Sequence, residues 1–265
     1  MKPTRYIPIL AAAATALLTA SCVKDTLYNT PHPNHGKITV TADWSARGEG
    51  IDIPATWTIA MGDYTGTETA ATATVAPASG SQTTGTFIDN APGWFFTHAE
   101  QVSIEKDTDY PFTAAMRQQV RELTLVVEPT GDAAHRITEI EASLSGVAGT
   151  LDFATDTYGA ASNIVLPFTR ITSGADAGKW TATVRLLGIT GGEQLLTGEI
   201  RYADGNPAPT TLESDLTEAL AAFNTAKSEP MTLGGTLETP DEVEIRGATI
   251  SGWEEIDNGE VDADL

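Results

Sequence analysis

Between Arg121 and Tyr202 the sequence repeats one device. Runs of strand length carry apolar residues at every second position, and each run is closed by turn-forming residues. Arg121–Glu128 (RELTLVVE) stops at Pro129-Thr130-Gly131, and Ile137–Leu144 (ITEIEASL) stops at Gly146. A short run, Thr150–Phe153, follows. Asn163–Thr169 (NIVLPFT) contains Pro167, which cannot donate to a sheet ladder and so belongs on an edge strand or at a bulge. Lys179–Leu187 (KWTATVRLL) meets Gly188, and Gln194–Tyr202 (QLLTGEIRY) ends at Asp204-Gly205-Asn206-Pro207. A period of two turns one face of each run to a core and the other to water. Turns this frequent leave little length for helices, so the expected fold class is all-β, mainly β with one helix, arranged as a sandwich.

The same alternation occurs upstream. In Lys37-Ile38-Thr39-Val40-Thr41-Ala42-Asp43-Trp44 the apolar positions are Ile38, Val40, Ala42 and Trp44, which predicts a half-buried strand. Ser45–Gly50 (SARGEG) reads as a flexible loop, Thr56–Met61 alternates again, and Trp94-Phe95-Phe96 is an apolar anchor. Residues 67–86 are rich in Thr, Ala and Ser and offer few anchors. The pattern changes near Tyr110–Met116, which places an N-terminal β domain over 37–115 and a C-terminal one over 116–253. Leu212, Leu216, Leu220 and Phe223 share one helical face, Asp215 and Glu218 suit a helix start, Lys227 suits its end, and Pro230 stops it. This predicts a helix over 212–227 closing one end of the sandwich. Residues 254–265 form an acidic tail, expected to be disordered.

The first 21 residues read as an export signal. Lys2 and Arg5 are basic, Ile9–Leu18 is apolar, and small residues precede Cys22. The apolar stretch is about ten residues, short of the ~20 a membrane-spanning helix needs. Leu18-Thr19-Ala20-Ser21-Cys22 resembles a lipobox, with Thr19 standing where Leu is commonest. The resemblance implies diacylglycerol on the Cys22 thiol and cleavage just before it. Each buried methylene contributes ~0.8 kcal/mol, so two or three chains anchor stably. Residues 22–36, with two prolines, read as a lipidated, extended tether. Lys24-Asp25 resembles a weak surface-export signal of Bacteroidetes lipoproteins.

Charge and motif content exclude several classes. The chain carries 36 acidic and 15 basic residues, a net charge of −21. Removing Lys2 and Arg5 makes it more negative still. Such a surface repels phosphate backbones, so no nucleic-acid partner is expected. It also repels anionic lipid, so membrane attachment needs the covalent anchor. One cysteine permits no intrachain disulfide, and with four histidines it makes a structural zinc site improbable; no metal or cofactor is expected. No nucleophile elbow, phosphate loop or dinucleotide fingerprint occurs. Gly191-Gly192-Glu193 lies between two strands and reads as a hairpin turn. Catalytic residues are therefore assigned to none, and the chain is expected not to be an enzyme. The five tryptophans could form a sugar platform, but most fall at strand alternation points, where core packing is the better reading.

Taken together, these segments resemble the fimbrillin-like and fimbrial-anchor lipoproteins of Bacteroidales, the subunits of type V pili. The resemblance rests on the lipobox and tether, on Gly36–Ser45 (GKITVTADWS), and on Phe112–Arg117 (FTAAMR) leading into Arg121–Glu128. It rests also on Ala142–Phe153 (ASLSGVAGTLDF) and on Ile250-Ser251-Gly252-Trp253. It implies two tandem transthyretin-like β-sandwich domains, a lipid anchor in the outer membrane, and surface exposure. It implies other fimbrial subunits as partners, joined by strand exchange, with a host or glycan ligand as a candidate further partner. In stalk subunits of that family a protease cuts after a basic residue beyond the first strand, and a partner's strand replaces it. The matching residues here are the strand Lys37–Trp44 and Arg47. An anchor subunit instead keeps that strand, and the few residues beyond Trp253 favour this role. The alternative reading is a surface carbohydrate-binding lipoprotein beside a glycan transporter.

Overall fold

The structure, a computed structural model, describes residues 36–56, 72–74, 87–88, 92–105, 107–239 and 247–256. Cys22, the export signal, all of the tether but Gly36, and Trp57 lie outside the described residues. So does most of the acidic tail.

Fourteen strands are described, and no α-helix is. They are β1 (Ile38–Asp43), β2 (Thr72–Thr74), β3 (Phe96–Thr97), β4 (Tyr110–Ala115), β5 (Arg117–Gln118), β6 (Arg121–Thr130) and β7 (Ile137–Asp152). There follow β8 (Thr157–Pro167), β9 (Thr169–Arg170), β10 (Trp180–Leu186), β11 (Leu195–Tyr202), β12 (Thr210–Asp215), β13 (Met231–Glu238) and β14 (Thr249–Glu255). Two compact units can be distinguished. The smaller brings residues up to Thr41 together with Val102–Phe112, and the larger contains Ala42–Gln101 and Thr113 onward.

The larger unit is an all-β sandwich. One sheet runs β14-β13-β6-β10-β9 and the other β12-β11-β7-β2, with β8 also paired to β7. Neighbours are antiparallel except β13, which lies parallel to β6. The predicted alternation is what fills the space between the sheets. Leu123, Leu125 and Val127 of β6 and Ala182, Val184 and Leu186 of β10 come from one layer. Ile140 and Leu144 of β7, Ile164 and Leu166 of β8, and Leu196 and Ile200 of β11 come from the other. Fully burying one such aliphatic side chain contributes ~1.5–3 kcal/mol. β8 ends at Pro167 and, as that residue predicted, lies at its sheet's edge; among the described residues its far side is met by one isolated bridge, from Phe87 to Asn163.

Two sequence expectations need correction. Gly146 does not end its strand. It adopts φ +70° inside a 16-residue β7, at the point where the pairing with β8 slips by a bulge. A Cβ there would sit 2.6 Å from the Glu193 carbonyl oxygen, so glycine allows the strand to bend and continue.

The helix expected over 212–227 is absent. Thr210–Asp215 is a strand, paired with β11 over six residues, and Leu212 is buried by strand alternation. From Leu216 the chain makes successive turns. Leu220 N–H reaches the Leu216 carbonyl at 2.9 Å, but Phe223 and Thr225 bond back only three residues, to Leu220 and Ala222. The apolar spacing was real, since Leu216, Leu220 and Phe223 are all fully buried. What defeats the helix is competition for its carbonyls. The Arg121 guanidinium takes that of Phe223 and shares that of Ala222 with Thr225, and the strand pairing of Thr210–Asp215 removes the first turn.

Candidate functional site

The segment that the sequence singled out, Lys37–Trp44, forms β1 and pairs with β4 in a two-stranded ribbon. Tyr110 N–H donates to the Lys37 carbonyl at 2.8 Å, and Met116 N–H donates to that of Asp43 at 2.8 Å. Ile38 and Val40 are half-buried while Thr39 and Thr41 are exposed, the alternation expected. Opposite, the rings of Tyr110 and Phe112 stack 6.0 Å apart. Among the described residues no third strand pairs with this ribbon, and none of the side chains of β1 belongs to the sandwich core.

The chain leaves β1 through a turn fixed by its own polar groups. Ser45 N–H donates to the Asp43 carboxylate at 2.9 Å, which holds that carboxyl below its usual range. Arg47 N–H donates to the Trp44 carbonyl at 3.1 Å, and the Trp44 ring meets Phe96 edge-on at 5.4 Å. Gly48 is then buried. Its N–H donates to Gln118 Oε1 at 3.0 Å, and a Cβ at this position would lie 2.6 Å from the Ser228 carbonyl oxygen. The Arg47 Nε is likewise buried, with no hydrogen-bond acceptor among the described residues.

Gln118 is the hub. While its oxygen holds Gly48, its Nε2 donates to the Val120 carbonyl at 2.9 Å and to the Lys227 carbonyl at 2.6 Å. One buried carboxamide thus ties together the loop after β1, strand β5 and the turns before β13. Neighbouring groups reinforce those turns. Arg121, only 3% exposed, donates from Nε to the Glu229 carbonyl at 2.6 Å and from Nη1 to that of Phe223 at 2.9 Å. Its guanidinium lies 5.3 Å from the Phe223 ring centre, and burial lowers its pKa. Asn224 closes a reciprocal pair with the backbone of Ile189, both bonds 2.9 Å.

Lys227 is buried beside this hub. Its Nζ donates to the Gln119 carbonyl at 3.2 Å and to Gln119 Oε1 at 3.0 Å, and lies 4.8 Å from the Tyr158 ring centre. Desolvation pushes the amine down to about 8, opposed by the charge of Asp156. The phenol of Tyr158 is pushed up to about 12, by burial first and then by Asp156.

Sequence reasoning found Lys37–Trp44 and Arg47, but not Gln118, which holds the next residue, Gly48, nor Gln119, Arg121 and Lys227 around it. The available signal was compositional: Arg117-Gln118-Gln119-Val120-Arg121 concentrates basic and amide side chains in a strongly acidic chain. The described tryptophans are each engaged elsewhere. Trp180 is buried, Trp94 lies under the Arg185 guanidinium at 5.3 Å, and Trp253 donates from Nε1 to Ser214 at 2.9 Å.

No protein-family model and no curated protein matches the sequence. Several solved structures share parts of the fold. A candidate adhesin from Bacteroides ovatus is 12% identical, with TM-score 0.48, and the match covers 86% of this chain and 95% of that one. The fimbrial anchor protein Mfa2 from Porphyromonas gingivalis is 17% identical, with TM-score 0.39, covering 63% of this chain and 60% of that one. A candidate polysaccharide-binding protein from Bacteroides thetaiotaomicron is 8% identical, with TM-score 0.41, covering 74% and 70%.

Proposed function

We propose that the chain is a non-enzymatic surface lipoprotein, an anchor or accessory subunit of a type V fimbria that retains its first strand. Acyl chains on Cys22 would hold it in the outer membrane, and other fimbrial subunits would join it by strand complementation. The observation that carries this reading is the state of the Arg47–Gly48 bond. A protease must draw several residues around the cut bond into an extended conformation. Here Gly48 is buried and its N–H is bound by Gln118, so the folded chain resists cutting at the basic residue that a stalk subunit would use.

The β1–β4 ribbon supports the assembly half of the reading. Among the described residues no strand pairs with the ribbon's outer edges, and an added strand would satisfy such backbone groups. Adhesion, with a host or glycan ligand, is part of the same reading. The test is genetic. Deleting the chain from its native cell should release fimbriae into the medium while their subunits remain assembled. Fimbriae that stay on the cell in normal number would contradict an anchoring role.

A further inference from the structure

The part of the β1–β4 ribbon that belongs to the smaller unit has one apolar face. The Lys37 carbonyl accepts from Tyr110 N–H and the Asp43 carbonyl from Met116 N–H. The offset between partners is constant, so the two strands run in the same direction, with Ile38 beside Tyr110 and Val40 beside Phe112. Side chains alternate along a strand, so these four share a face, and all four are half-buried. The segment ahead of β4 adjoins that face, because Glu105 N–H donates to the Tyr110 hydroxyl at 2.7 Å. It holds Val102 and Ile104, 41% and 42% exposed, two of the four large apolar side chains that are exposed among the described residues. Parallel strands are normally covered on both faces, so an apolar face left open on such a ribbon calls for a cover.

The place of this unit along the chain says what the cover is. Its first described residue, Gly36, stands fourteen residues after Cys22. Such a link reaches at most about 50 Å when fully extended, and averages about 20 Å as a flexible chain. With acyl chains on Cys22, the face is never further than that from a bilayer. A link this short makes contact an intramolecular step, so a face too weak to hold a membrane by itself still occupies it. Charge selects the lipid. In residues 36–41 and 102–112, Lys37 and Lys106 stand against Glu105, Asp107 and Asp109, a net charge of −1 that gives no attraction to anionic headgroups. The Tyr110 side chain, an apolar ring with a polar tip, suits the boundary between headgroups and acyl chains. We infer that Val102 and Ile104, with the ribbon face that carries Tyr110 and Phe112, rest on the surface of a zwitterionic bilayer beside the acyl chains of Cys22. The inference rests on the proposed acylation of Cys22.

The test uses residues 22–265, coupled through the lone thiol to a maleimide-bearing lipid in phosphatidylcholine–phosphatidylethanolamine vesicles. The same chain capped with a soluble maleimide is the reference. Amide hydrogen exchange, read by mass spectrometry, should slow at least fivefold over 102–112 on the vesicle, with Trp180–Leu186 of the sandwich unchanged. A chain carrying Val102→Ser and Ile104→Ser, both at exposed positions, should lose that slowing and exchange elsewhere as the parent does. Unchanged exchange over 102–112 on vesicles, or equal slowing in the double variant, would overturn the inference. Slowing that grows with the number of chains per vesicle would assign the face to a second copy and overturn the lipid assignment. Because the coupling is chemical, these outcomes do not depend on acylation in the cell. An unmodified thiol in cells would instead remove the anchor reading and leave the vesicle result as it stands.

Discussion

The Gly48 amide and the Gln118 side-chain oxygen meet at 3.0 Å in a buried position, across 70 residues of sequence. That bond fixes the exit from β1, because the same carboxamide is anchored at its other end to the Val120 and Lys227 carbonyls. Removing it leaves one buried donor and two carbonyls without partners. Gln118→Ala should therefore cost about 3 kcal/mol or more, at roughly 1–3 kcal/mol for each buried group that stays unsatisfied. It should also expose the Arg47–Gly48 bond. In limited digestion with an arginine-specific protease, the parent chain should yield no fragment starting at Gly48, and the variant should yield one within the same time course.

Arg121 does for the turns before β13 what Gln118 does for the loop after β1. Its guanidinium holds the Glu229, Phe223 and Ala222 carbonyls and covers the Phe223 ring. Arg121→Met keeps most of the volume but frees the carbonyls. Denaturant unfolding should show a loss of about 2–4 kcal/mol. Phe223→Ala should cost about 3–5 kcal/mol, because a fully buried aromatic leaves a cavity.

Lys227 gives stability a particular pH dependence. Its folded amine is lowered to about 8 from an ordinary 10.5, so between those values the unfolded chain binds more protons than the folded one. Stability then rises with pH across that window, and the penalty for burying the charge is in full force below about 8. Tyr158, raised to about 12, acts in the opposite sense above its ordinary 10, where the folded phenol keeps its proton and stability falls. The useful range is therefore pH 7.5 to 9.5. Across it the parent chain should gain up to about 2 kcal/mol relative to Lys227→Met. A constant difference between the two would show that the amine is not desolvated.

The bulge in β7 depends on one backbone conformation. Gly146 stands at φ +70°, with the Glu193 carbonyl 2.6 Å from where a Cβ would be. Gly146→Ala combines left-handed strain with a steric clash, and thermal unfolding should report a loss of about 1–3 kcal/mol.

What the sequence disclosed and what it hid divide by range. The strands at Lys37–Trp44, Arg121–Glu128, Lys179–Leu187 and Gln194–Tyr202 were legible because alternation and turn residues are local signals, and Pro167 marked its edge strand for the same reason. The turns after Leu216 were misread as a helix because buried apolar residues at helical spacing look alike in either conformation. The deciding contact, Arg121 to the Phe223 carbonyl, spans 102 positions. The candidate site was half legible. Arg47 could be named as a loop residue beyond a strand. That Gln118 receives its neighbour Gly48, and that Lys227 lies behind Gln118, could not be seen, since those contacts span 70 and 109 positions.

Retention of the first strand on a lipid-held chain is the central claim, and mass spectrometry of the protein taken from intact cell envelopes tests it most directly. The expected result is a chain beginning at Cys22, carrying two or three acyl groups and continuous through Arg47–Gly48. A chain beginning at Gly48, or one recovered from the medium with an unmodified thiol, would contradict it.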